Sequence, residues 1–159
     1  MITINENEIV ETVFEKEDYF PIKVCRNNNI DNIKYVQYEK DEYNMLEFTL
    51  DRTTNEFCRF QLVIGNTFCV KDELLIHADT WEEGVATFDS PEVVKTELFD
   101  VLIYLNGVEI ILSSDSVRKW LKTGNILFGL DSGGELGSIR IMNISADERQ
   151  HIIDELSQN

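Results

Sequence analysis

Two segments of this chain spell the same strand-turn-strand pattern, and that echo constrains the fold more than any other feature. Phe48-Thr49-Leu50-Asp51 followed by Glu56-Phe57-Cys58-Arg59-Phe60-Gln61-Leu62 aligns with Phe128-Gly129-Leu130-Asp131 followed by Glu135-Leu136-Gly137-Ser138-Ile139-Arg140-Ile141, with one residue of difference in the turn. Each copy reads as an apolar strand, a polar turn and a second alternating strand, which is the pattern of a β-hairpin. The offset is close to half of the 159 residues. Two related halves, about residues 1–80 and 81–159, are one explanation; convergence on a common strand-turn-strand pattern is the other.

Further strands follow from composition along the chain. Val101-Leu102-Ile103-Tyr104-Leu105 and Val108-Glu109-Ile110-Ile111-Leu112 flank Asn106-Gly107, a dipeptide favoured in type I′ turns because both residues tolerate positive φ. Ile33-Lys34-Tyr35-Val36-Gln37-Tyr38 alternates apolar with polar, and weaker strand signals cover residues 20–25 and 67–76. Helices are fewer. Ser145-Ala146-Asp147-Glu148 is a capping box ahead of Ile152, Ile153 and Leu156, so a C-terminal helix is expected. Residues 115–123, ended by Gly124, read as a second short helix, and Ser90-Pro91 as the start of a third. In residues 6–17 the positions of Ile9, Val10, Val13 and Phe14 fit a helical face, although a strand also suits them. The expected fold is α+β: a mainly antiparallel β-sheet built from hairpins, with two to four short helices. It forms one compact domain, because Pro21 and Pro91 are the only prolines and no Gly/Ser-rich linker interrupts the chain.

A chain of this length buries roughly two-thirds of the surface it exposes when unfolded. Its 43% hydrophobic content supports such a core despite 30 acidic against 14 basic residues. The start, Met1-Ile2-Thr3-Ile4-Asn5-Glu6, lacks the positive charge and apolar run of a secretion signal, and no apolar stretch approaches a membrane span, so a cytoplasmic protein is expected. Cys25, Cys58 and Cys69 are odd in number, lack C-x-x-C spacing and sit in apolar runs, as reduced core thiols do. A zinc site built on Cys58, Cys69 and His77 lacks a fourth ligand and paired spacing.

Charge is unevenly distributed. Between Asp72 and Asp100 nine acidic residues face one lysine, Lys95, so 29 residues carry −8 of the chain's −16. A surface of this sign disfavours DNA, RNA and anionic lipid as partners and favours something basic. No motif for catalysis accompanies it. His77 and His151 lack a nucleophile setting, the turns at Asp51 and Asp131 lack the acidic series of a calcium loop, and Gly133-Gly134 lacks the spacing of a phosphate cradle. Arg118, Lys119 and Lys122 around Trp120 read as a local structural patch. Trp81 lies inside the acidic segment in Asp79-Thr80-Trp81-Glu82-Glu83-Gly84, where it serves either as a core anchor or as an interface anchor ringed by steering charges. The candidate partner-binding residues are therefore Asp72, Glu73, His77, Asp79, Trp81, Glu82, Glu83, Phe88, Asp89 and Glu92. No catalytic residue, metal or cofactor is expected.

A small, strongly acidic α+β chain without a catalytic constellation resembles the immunity proteins of bacterial polymorphic-toxin and contact-dependent growth inhibition systems. Its second hairpin, residues 128–141, resembles hairpins common in small bacterial domains of that kind. The resemblance implies binding to a cognate toxin domain, commonly a basic nuclease, as a monomer in a one-to-one complex that blocks an active site or substrate groove. An acidic interaction module or nucleic-acid mimic without a toxin partner is the alternative, and an enzyme using paired carboxylates a third.

Overall fold

The computed structural model describes residues 1–4, 8–26 and 31–158. Its first strands are β1 (Ile2–Ile4), β2 (Thr12–Phe14), β3 (Ile22–Arg26), β4 (Ile33–Asp41), β5 (Asn44–Asp51), β6 (Phe57–Gly65) and β7 (Phe68–Val70). Then come β8 (Glu82–Glu83), β9 (Ala86–Phe88), β10 (Val93–Lys95), β11 (Asp100–Ile103) and β12 (Gly107–Ile111). The chain closes with β13 (Lys119–Thr123), β14 (Ile126–Leu130), β15 (Leu136–Met142) and α1 (Ala146–Leu156).

These strands form two large sheets and a short ribbon. The first sheet has the order β10-β4-β5-β6-β3-β2, the second β7-β11-β12-β15-β14-β13-β8, and β1 pairs with β9. Reversing the second order reveals a correspondence: β8, β13, β14, β15, β12 and β11 match β10, β4, β5, β6, β3 and β2, and of the five neighbouring pairs within each set the first is parallel and the other four antiparallel. Strand β7 is the extra member. The halves are interleaved, because β7 comes from the first half but extends the second sheet, while β10 comes from the second half but extends the first.

The two matching segments fold as corresponding hairpins, β5–β6 and β14–β15. Asp51 Oδ1 accepts the backbone N–H groups of Thr53 and Thr54 at 2.8 and 3.0 Å, and Asp131 Oδ1 accepts those of Gly133 and Glu135 at 2.9 and 3.0 Å. Each turn then needs a left-handed residue just before its glutamate, supplied by Asn55 (φ 62°) and Gly134 (φ 78°), two residue types that enter that region cheaply. A register shift follows in each pair, next to Leu50 and next to Leu130. The ribbon respects the same pairing: Phe88 donates its N–H to Asn55 O at 3.0 Å, and Ile2 to Gly134 O at 3.2 Å.

The sheets share one core. Phe48 from the first sheet lies 5.9 Å from Phe128 of the second, and Phe88 of the ribbon fills the gap at 4.7 and 5.8 Å from those rings. Such ring contacts contribute about 0.5–1.5 kcal/mol each beyond area burial. Helix α1 carries the expected capping box and buries Ile152 and Leu156. It ties three connections: Arg149 donates to Tyr104 O and Lys71 O at 2.9 and 3.1 Å, and Tyr19 N–H donates to Glu155 Oε2 at 3.3 Å. His151 is half-buried, with its Nε2 3.0 Å from Phe20 O and its ring edge-on to Phe14.

Several expectations need correction. Among the described residues α1 is the only helix. Residues 119–123 form β13, and Gly124 (φ 59°) opens the hairpin turn to β14 instead of ending a helix. Pro91 precedes β10, an edge strand paired to β4. Of residues 6–17, positions 6 and 7 lie outside the described residues; the rest holds β2 and no helical face, with Ile9 and Val13 exposed and Val10 buried. The β11–β12 hairpin exists, but Ile103 pairs with Val108 and Tyr104 N–H donates to Gly107 O, which centres the turn on Leu105-Asn106 with no positive φ. Gly107 is required for another reason, because a Cβ there would sit 2.7 Å from Ile141 O. The cysteines are free but not uniformly buried: Cys58 is buried, Cys25 half-buried and Cys69 exposed.

Candidate functional site

Strands β7 and β8 lie at opposite edges of the second sheet, so the chain between them, residues 71–81, has to cross that sheet. It crosses the outer face. Ile126, Phe128 and Leu130 point into the core, whereas Leu127 joins Leu75 and Met142 in a separate apolar cluster flanked by Tyr104 and Trp120. Leu75 is thus the residue by which this strap adheres to the sheet, and burial of a leucine side chain contributes about 1.5–3 kcal/mol.

Polar contacts fix the strap beside Leu75. Leu75 N–H donates to Asn106 Oδ1 at 2.7 Å, and Asn106 Nδ2 donates back to Leu75 O at 3.4 Å, so the amide imitates a strand neighbour. Leu105 N–H donates to Glu73 O at 3.0 Å. Further along, Arg140 Nη1 donates to Ile76 O at 3.1 Å. That guanidinium is itself held, with Nε on Glu109 Oε2 at 2.6 Å and its carbon 4.4 Å from the centre of the Trp120 ring. Trp120 lies flat on the strand because position 129 is glycine, where a Cβ would meet the ring at 2.8 Å. Burial, reinforced by the charges of Glu109 and Glu73, raises the pKa of the Tyr104 phenol nearby.

The residues singled out from the sequence fall into four places. Asp72, Glu73, His77 and Asp79 sit exposed on the strap. Trp81, 43% exposed, leads into β8, where Glu82 pairs with Lys119 and Glu83 with Lys122, each at 3.2 Å. Lys119 and Lys122 therefore serve as local counterions on β13, not as part of a basic helix. Phe88 is a correction: at 1% exposure it belongs to the core and offers no surface anchor. Asp89 and Glu92 lie beyond the ribbon, and Glu92 lines a cleft of about 380 Å³ on the outer face of the first sheet with Tyr35, Gln37, Glu47, Arg52 and Val93. Asp72, Glu73, Asp79, Asp89 and Glu92 make no ion pair among the described residues.

Sequence reasoning missed the apolar half of the strap. Leu74 is 64% exposed and Ile76 82%, on either side of buried Leu75, and Leu105 stands exposed on the adjoining hairpin tip. The run Glu73-Leu74-Leu75-Ile76 read as one weak strand signal; only the identity of the buried member separates anchor from surface.

Among the described residues no group of three or more His, Cys, Asp or Glu side chains is arranged to hold a metal ion. Cys58 belongs to the first sheet, Cys69 to β7 and His77 to the strap. Among the described residues no helix is long and apolar enough to cross a membrane. Fold and site together define a two-sheet β protein with one crossing strap that exposes aliphatic side chains among carboxylates. No protein-family model and no curated protein matches the chain.

Proposed function

We propose that this chain is an acidic binding protein of the immunity class, which neutralises a toxin domain by covering its active site or substrate groove. The observation that carries this reading is the strap: Leu74 and Ile76 stand exposed on a firmly held segment beside Asp72, Glu73 and Asp79, carboxylates that make no ion pair among the described residues. A toxin that handles a polyanion presents a positive groove, and the chain's net charge of −16 gives steered association with such a groove. Apolar contacts at the centre of the interface then slow release. In this reading the chain acts in the cytoplasm as a monomer in a one-to-one complex, with no catalysis and no cofactor.

Co-expression of the tagged chain with the products of its neighbouring genes, followed by recovery in low and then moderate salt, tests the proposal. A basic toxin domain retained in stoichiometric amount supports it. Soluble expression of that domain without any retained complex rejects it for that gene pair.

A further inference from the structure

Resting on the binding reading above, we infer that Leu74 and Ile76 are the recognition pair, and that their occupant is a protein segment carrying Lys or Arg interleaved with large apolar side chains. The strap alternates like a strand, with Leu75 turned onto Leu127 and Met142 and its two neighbours facing solvent. Exposed aliphatic residues are ordinary when scattered. These two are adjacent on a segment whose backbone is tied at Glu73, Leu75 and Ile76 to two other strand connections or strands, through Leu105, Asn106 and Arg140. Such a pre-organised segment loses little freedom on docking, so its apolar contacts convert efficiently into affinity.

Charge complementarity selects the occupant. The strap carries Asp72, Glu73 and Asp79 against Lys71 at its start, and none of these four makes an ion pair among the described residues. Around Trp81 the situation is opposite, since Lys119 and Lys122 already satisfy Glu82 and Glu83. A cationic segment therefore gains most by settling over residues 72–79, with its apolar side chains against Leu74 and Ile76.

The test is selection of random peptides of about twelve residues, displayed on phage, against the full chain. The expected result is enrichment of peptides rich in Lys or Arg together with Leu, Phe or Trp. Their binding should fall at least about tenfold for the Leu74→Ser/Ile76→Ser variant, which keeps every charge, and stay unchanged for Val13→Ser/Tyr35→Ser on the first sheet. Both variants are compared with the parent by circular dichroism, and a single Ile76→Ser variant replaces the double one if the latter unfolds. Failure to enrich any sequence, enrichment of acidic or neutral peptides, or equal binding to both variants would overturn the inference. A toxin domain that binds with equal affinity to the parent and the Leu74→Ser/Ile76→Ser variant would sink this assignment and leave the immunity reading standing; enrichment without a toxin partner would do the reverse.

Discussion

The two sheets share strand order and strand direction, yet their outer faces have diverged completely. On the first sheet the central outward row is Gln37, Glu47 and Gln61, polar side chains of which Gln61 is buried. On the second sheet Leu127, Met142, Trp120 and Arg140 face outward, and residues 71–81 lie over them. The core positions, Phe48 and Phe128, correspond; the surface positions do not. One topology thus yields a polar outer face and an apolar, strapped one, and the candidate site belongs to the strap on the second.

The largest test of the correspondence is removal of its core rings. Phe48→Ala and Phe128→Ala should each cost about 3–5 kcal/mol in denaturant unfolding, and markedly unequal losses would break the structural equivalence of the hairpins. Leu75→Ala should cost about 2–3 kcal/mol and raise amide exchange across residues 71–81, while Glu47→Gln on the first sheet's outer face changes stability by less than about 0.5 kcal/mol. Arg140→Gln removes the guanidinium from a mostly buried Glu109 and from Ile76 O; a loss of about 1–3 kcal/mol is expected, again with faster exchange in the strap.

Smaller effects concern the turns and the thiols. Backbone N–H groups of Thr54 and Thr53 hold the Asp51 carboxyl below the usual carboxylate range. Because the folded-state pKa is the lower one, this contribution is complete above the unfolded pKa of about 4 and lost as pH falls through the folded value. Thermal unfolding of Asp51→Asn followed from neutral pH to below pH 4 should therefore show a shallower acid loss than the parent. Burial pushes the Cys25 thiol up to about 11, so alkylation near neutral pH should label exposed Cys69 well before Cys25.

How much of this was legible depended on whether the signal was local. The hairpin match was readable because Asp51 and Asp131 cap their own turns, and the capping box of α1 for the same reason. Residues 119–123 were misread because left-handed Gly124 serves both a helix end and a hairpin turn, and the pairing of β13 with β14 decided between them. Asn106-Gly107 misled similarly: Asn106 is committed to Leu75, 31 residues away in sequence, and Gly107 to the crowding of Ile141 O. The acidic segment was visible as charge, but its division among strap, β13 counterions, core and first-sheet cleft arises from long-range pairing. Phe88 shows this best, as an aromatic among carboxylates that the ribbon carries inside.

Amide hydrogen exchange of the full chain, free and bound to the basic domain recovered with it, shows whether the strap is the docking face. New protection is expected over residues 72–79 and the tip at Leu105, with the first sheet's outer face unchanged. Protection centred on Tyr35, Glu92 and Val93, or exchange unaltered by a saturating amount of that domain, would contradict it.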